Sequence, residues 1–158
     1  MYGDHDPLVV AHGRALYSDD RAGWIHADIS ETEDVLEEAS DWLDLTRPVV
    51  VSMINVAENL PDPHMVVSVL MAGLPPGSGL AMAQAASDLA PEVMAEVTTV
   101  YRVHGIEFAA CTRGEFASYF DGLELNEDVT PPHRMWGPCP DGLRDEQVLC
   151  WAGCGWKR

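Results

Sequence analysis

The run Val49-Val50-Val51-Ser52-Met53-Ile54-Asn55-Val56 constrains the fold more than any other stretch of this chain. It is apolar almost without a break and rich in β-branched side chains, with Arg47-Pro48 at its entrance and Pro61 shortly after its end. A strand reads this way when both of its faces are covered, as in the interior of a parallel sheet. Parallel strands need crossover connections, usually helical, so the run predicts an α/β chain. In open sheets of this kind ligands sit beyond the carboxyl ends of the strands. Attention therefore falls on Asn55, Val56, Ala57, Glu58 and Asn59, where apolar residues give way to polar ones.

Helical patterns flank the run on both sides. Asp6-Pro7 starts one helix, the carboxylate accepting an orphan N–H and the proline suiting the first turn, with Leu8, Ala11, Ala15 and Leu16 as its inner face. The residues just before Asp4 read as the end of a strand. Trp24-Ile25-His26-Ala27-Asp28-Ile29 is a second short strand, after which Ser30 and Glu33 have capping-box spacing and Val35, Leu36, Ala39 and Leu43 form a buried stripe. Asp62-Pro63 repeats the cap-then-proline start, and Gly73 is placed to end that helix.

Further on, Leu80 to Ala83 reads as a strand, and Pro91 opens a helix with Val93, Met94, Val97, Val100, Tyr101 and His104 recurring at helical spacing. Thr112 and Glu115 form a second capping-box pair ahead of Phe116, Tyr119 and Phe120. Leu123-Glu124-Leu125 alternates like a half-exposed strand. A proline-rich, loop-like segment from Pro131 to Pro140 leads to a final strand over Gln147 to Ala152. No repeat or second domain interrupts residues 1–158, so a single domain is expected.

Charge narrows the partners. The formal net charge is -17, and nine Lys and Arg side chains cannot lay a track for nucleic-acid phosphates. No apolar run reaches the roughly 20 residues that span a bilayer, and the first residues lack a signal-peptide layout, so a cytoplasmic protein away from membranes is expected. In that compartment Cys111, Cys139, Cys150 and Cys154 read as thiols, and their spacing does not suggest zinc.

Two carboxylates, Asp4 and Asp28, stand at strand ends. In a doubly wound sheet one such side chain can accept hydrogen bonds from both ribose hydroxyls of a nucleoside, and the next can accept from an adenine amino group. Turn formation and helix capping are the structural alternatives.

The order Tyr2-Gly3-Asp4-His5-Asp6-Pro7-Leu8-Val9-Val10-Ala11-His12, His26-Ala27-Asp28, Arg47-Pro48-Val49, Pro76-Gly77-Ser78, Val100-Tyr101-Arg102 and Phe120-Asp121-Gly122-Leu123-Glu124-Leu125 resembles the S-adenosylmethionine-dependent methyltransferase family found mainly in actinobacteria. The resemblance spans nearly the whole chain. It implies a Rossmann-like sandwich with a mostly parallel sheet and an antiparallel last strand, with S-adenosylmethionine as cofactor and a small molecule as methyl acceptor. By that match Asp4 would hold the ribose hydroxyls with His5 beside it. Asp28 and Ile29 would sit at the adenine, and Asn55, Val56 and Glu58 would line the methionine end. No general base is assigned.

Family members begin earlier, with a first strand and a Gly-rich cofactor loop that this sequence does not contain. In the family that strand lies beside the Val49 to Val56 run, so an apolar sheet edge is expected here. Either residues upstream of Met1 cover it, or the sheet re-pairs, or the chain associates with itself. The competing reading is a non-catalytic remnant serving as an interaction or regulatory module. A nicotinamide dinucleotide enzyme is a third, and it would need a Gly-x-Gly-x-x-Gly loop that is not present.

Overall fold

The computed structural model describes residues 1–17, 22–135 and 142–158. Cys139 and the second half of the proline-rich segment lie outside the described residues. The chain runs β1 (Tyr2–Asp4), α1 (Pro7–Leu16), β2 (Trp24–His26), α2 (Thr32–Ser40), β3 (Val50–Ile54), α3 (Pro63–Ala72), β4 (Gly79–Ala85), α4 (Pro91–Val103), α5 (Arg113–Ser118), β5 (Leu123–Leu125) and β6 (Cys150–Lys157). β1 and β2 form a parallel pair. The other four strands form one sheet in the order β3-β4-β6-β5, in which β6 alone runs against its neighbours. Helices connect the parallel strands, giving the expected Rossmann-like α/β sandwich with an antiparallel last strand.

Starts governed by local chemistry fall where the residues put them. Asp6 caps α1 by accepting the Leu8 N–H, and Asp62 caps α3 by accepting the Met65 N–H. Thr112 and Glu115 close a reciprocal capping box at the start of α5. Gly73 ends α3 in ordinary right-handed geometry, so a positive φ is not its reason. A Cβ there would stand 2.6 Å from Leu36 Cδ1, and the glycine thus admits α2 against the end of α3.

β3 is the edge of its sheet, hydrogen-bonded among the described residues to β4 alone, so the apolar edge expected beside this run is present. Several other expectations are corrected. Val50 and Ile54 are 58% and 53% exposed, so the faces of the run are not both covered as its apolar residues had implied. Ser30 does not cap α2. Asp28 captures its N–H and hydroxyl, and α2 begins without a side-chain cap.

On α1 the buried residues are Val10 and Gly13, and Leu8, Ala11, Ala15 and Leu16 are exposed. The Trp24 ring lies 2.4 Å from where a Gly13 Cβ would stand, so the ring chooses the inner face. On α4 only Met94 is buried, with Val93 and Val100 exposed; Tyr101 turns to stack on Phe108 at 4.3 Å. The last strand begins at Cys150 rather than Gln147 and continues to Lys157. Gly153 and Gly155 hide its pattern, because each leaves room for the Phe120 ring 3.0 Å from the missing Cβ.

The main core lies on the four-stranded sheet, with Met53, Leu80, Met82, Phe116 and Phe120 among its buried members. Val66, Leu70 and Met71 of α3 pack onto it. Lys157 closes the end of α3, its Nζ donating to the carbonyls of Met71, Ala72 and Leu74 at 2.7, 3.2 and 2.6 Å. That tie satisfies acceptors which a helix end leaves open and sets a cation where the helix dipole favours one. No described helix is long and apolar enough to cross a membrane.

Candidate functional site

A cavity of about 770 Å³ separates the β1–β2 pair from β3. Gly3, Asp4 and His5 border it from the end of β1, Ala27, Asp28 and Ile29 from the end of β2, and Asn55, Val56 and Asn59 from the end of β3. Its deeper wall is apolar, built by Leu36 and Ala39 of α2 and by Leu70 of α3 with Leu74 beyond it. Six of the seven residues singled out above therefore surround one hollow: Asp4, His5, Asp28, Ile29, Asn55 and Val56.

Each is placed by local bonding. Asp4 Oδ1 accepts the Asp6 N–H at 2.9 Å, and His5 Nδ1 stands 3.7 Å from the same oxygen. The His5 carbonyl lies 2.9 Å from His26 Nε2, which ties the tip of β1 to the end of β2. Asp28 Oδ1 accepts from Ser30 Oγ at 2.7 Å and Ser30 N–H at 2.9 Å. Those two bonds hold the Asp28 carboxyl below the usual aspartate range, so it is ionised at neutral pH. Asn55 sits at φ 54°, a left-handed conformation that Asn tolerates, with its N–H bonded to the Ala83 carbonyl at 2.9 Å.

Glu58 is the exception, and it does not line the cavity. The chain after Val56 makes a 3-10 turn over Ala57–Asn59 with three residues per turn, so Val56 and Asn59 share the cavity side while Ala57 and Glu58 turn inward. The Glu58 carbonyl accepts the Ala109 N–H at 2.7 Å, and its side chain is buried near Cys111 and Cys150. Burial raises the carboxyl above its ordinary range, and among the described residues Oε2 has no hydrogen-bond donor. The two thiols are likewise pushed up by burial, Cys111 to about 12 and Cys150 to about 11, which leaves them protonated and unreactive.

Sequence reasoning assigned no site role to Gly3 or Ser30, and it marked Asn59 only as part of the polar stretch after β3. Ser30 carried a signal that a capping box imitates: two residues after Asp28, it can also donate to that carboxylate in a side-chain turn, as it does here. The acidic tips form an acceptor-rich mouth. Hydroxyl and amino groups are the donors it suits, and half-buried Ile29 offers apolar surface to a planar ring. Among the described residues no group of three His, Cys, Asp or Glu side chains is arranged to hold a metal ion.

Comparison with known proteins gives the same direction. The model of a family described as S-adenosyl methyltransferase matches residues 1–158. A DUF574 family protein from Streptomyces avermitilis superposes with a TM-score of 0.90 at 31% identity, over 99% of this chain and 64% of its own. A protein from Thermobifida fusca gives 0.87 at 30% identity, over 99% and 62%. This chain thus spans a little under two thirds of either structure. The plantazolicin methyltransferase BamL, solved with S-adenosylhomocysteine and a desmethyl plantazolicin analogue, shares the fold at a TM-score of 0.63 and 12% identity, over 98% of this chain and 66% of its own. No curated protein matches.

Proposed function

The chain belongs to the S-adenosyl methyltransferase family, whose cofactor is S-adenosylmethionine, and on that premise we propose that the cavity between the two sheets receives the adenosyl part of this cofactor for methyl transfer to a small molecule. The observation that carries the reading is the convergence of Asp4 and Asp28, from the ends of neighbouring parallel strands, on one hollow. Asp4 is assigned to the ribose hydroxyls with His5 beside it, Asp28 and Ile29 to the adenine, and Asn55 and Val56 to the methionine end. Glu58, turned inward, is assigned a supporting place behind that loop.

When bound, the cofactor's sulfonium supplies an activated methyl group. The chain's own residues bind and orient: carboxylates accept from hydroxyl and amino groups, and the apolar wall excludes water from the hollow. Titration calorimetry with S-adenosylhomocysteine tests the assignment. Binding heat is expected, with Asp4→Ala weakening affinity by roughly ten- to hundred-fold, the value of hydrogen bonds to a charged acceptor. Absence of heat at millimolar ligand would overturn it.

A second reading is favoured by one observation, the unpaired edge of β3. Free backbone groups along that edge suit a non-catalytic module that engages other polypeptides, and such a module would release no heat with the same ligand.

A further inference from the structure

We infer that Glu107 is the counter-ion for the α-ammonium group of the bound cofactor. The inference rests on the cofactor assignment above and extends it to the amino-acid end of the ligand. Glu107 follows α4 in the chain and borders the same cavity as Asp4 and Asp28. Two residues on, the Ala109 N–H donates to the Glu58 carbonyl at 2.7 Å, and the Ala109 carbonyl accepts from Gln84 Nε2 at 3.1 Å. The Cys111 N–H then donates to the Ala85 carbonyl at 3.0 Å, and Phe108 stacks on Tyr101 with ring centroids 4.3 Å apart. Two residues of chain reach at most about 7 Å. These ties therefore hold Glu107 beside the 3-10 turn over Ala57–Asn59, at the end of the cavity bordered by Asn55, Val56 and Asn59.

Charge selects what Glu107 meets. The other two carboxylates of the lining, Asp4 and Asp28, stand at the tips of β1 and β2, where the sugar and the base are assigned. At the β3 end Asn55, Val56, Asn59 and Leu60 are uncharged, so among the described residues Glu107 is the one formal charge on that part of the lining. No Lys or Arg lines the cavity, and among the described residues no basic side chain forms an ion pair with Glu107. The amino-acid tail of the cofactor carries an ammonium group, which offers three N–H donors and a full positive charge, and a carboxylate is its matching acceptor. Facing an apolar ligand instead, the same carboxylate would lose water and gain no partner.

Titration calorimetry of the full chain with two ligands tests this. S-adenosylhomocysteine carries the ammonium group, whereas 5′-methylthioadenosine keeps the adenosine and the thioether and lacks the amino acid. Glu107→Gln keeps the shape and removes the charge. It is expected to weaken S-adenosylhomocysteine by about three- to tenfold, between an exposed ion pair and a buried charged hydrogen bond because the free side chain is exposed, and to leave methylthioadenosine unchanged. Glu107→Asp is expected to recover part of the loss. Unchanged affinity for S-adenosylhomocysteine in Glu107→Gln, or equal weakening of both ligands, would overturn the inference. Should the variant fold poorly, the wild-type chain still decides: its preference for S-adenosylhomocysteine over methylthioadenosine is expected to shrink as salt rises, and a preference indifferent to salt would overturn the inference as well. Failure of the cofactor assignment looks different, since neither ligand would then bind the wild-type chain, and this inference would fall with it.

Discussion

The four-stranded sheet and the β1–β2 pair are built to different densities. Around the sheet, α3 and α5 bury Val66, Leu70, Phe116 and Phe120 in one continuous core. The β1–β2 pair with α1 contributes Val10 and Ile25 as buried apolar residues and has no member in that core. Yet Asp4, His5 and Asp28 stand at the tips of this thin region, with Ile29 next to them packed against the core. Stability and the two candidate carboxylates are therefore held by different parts of the molecule. The second part has little packing of its own with which to position them.

The largest expected effect sets the two regions directly against each other. Phe116→Ala empties a fully buried site and should cost about 3–5 kcal/mol in urea unfolding. Ile25→Ala should leave that main transition in place and instead remove exchange protection in β1 and β2. If Ile25→Ala lowers the same transition as much as Phe116→Ala, the regions unfold as one and the comparison fails.

Glu58 sharpens the comparison through pH. Its carboxyl titrates above the ordinary glutamate range when folded, so between the unfolded and folded pKa values the native state holds the extra proton. Stability should then fall as pH rises through that window and level off above it. Asp28 has the opposite sign, since its carboxyl is held low and its contribution is lost only as pH falls below the ordinary aspartate range. Glu58→Gln should flatten the fall and raise stability at neutral pH, by about 1–3 kcal/mol for an unsatisfied buried group. A urea midpoint of Glu58→Gln that follows wild type at every pH would refute this.

The smallest effect concerns helix starts. Thr112→Ala dismantles the capping box of α5 and should cost about 1 kcal/mol in the main transition. Ser30→Ala, in the thin region, should leave the transition unmoved and bring the Asp28 carboxyl back toward its ordinary pKa, as followed by carbon NMR titration.

Features fixed within a few residues were legible before the fold was seen. Asp6-Pro7, Asp62-Pro63 and Thr112 with Glu115 start helices because the capping groups and the first turn are adjacent in sequence. The tips Asp4 and Asp28 were legible because strand ends show as breaks in apolar runs. The edge position of β3 was legible only through the resemblance, since hydropathy reports covered faces and says nothing about paired edges. The inner faces of α1 and α4 were not legible, because they depend on where the Trp24 and Phe108 rings lie. Glu58 was misplaced because a single 3-10 turn decides which way it points.

The position of β6 has a consequence for how the molecule comes into being. Among the described residues β5 pairs with β6 alone, and β4 has β6 as its second neighbour, so residues 150–157 form an interior strand of the sheet. Until Lys157 has left the ribosome, β5 is unmoored and the end of α3 lacks its cation. Assembly of the dense half must await translation of residues 150–157, and a nascent chain halted short of them would present β4 to chaperones as an open apolar edge.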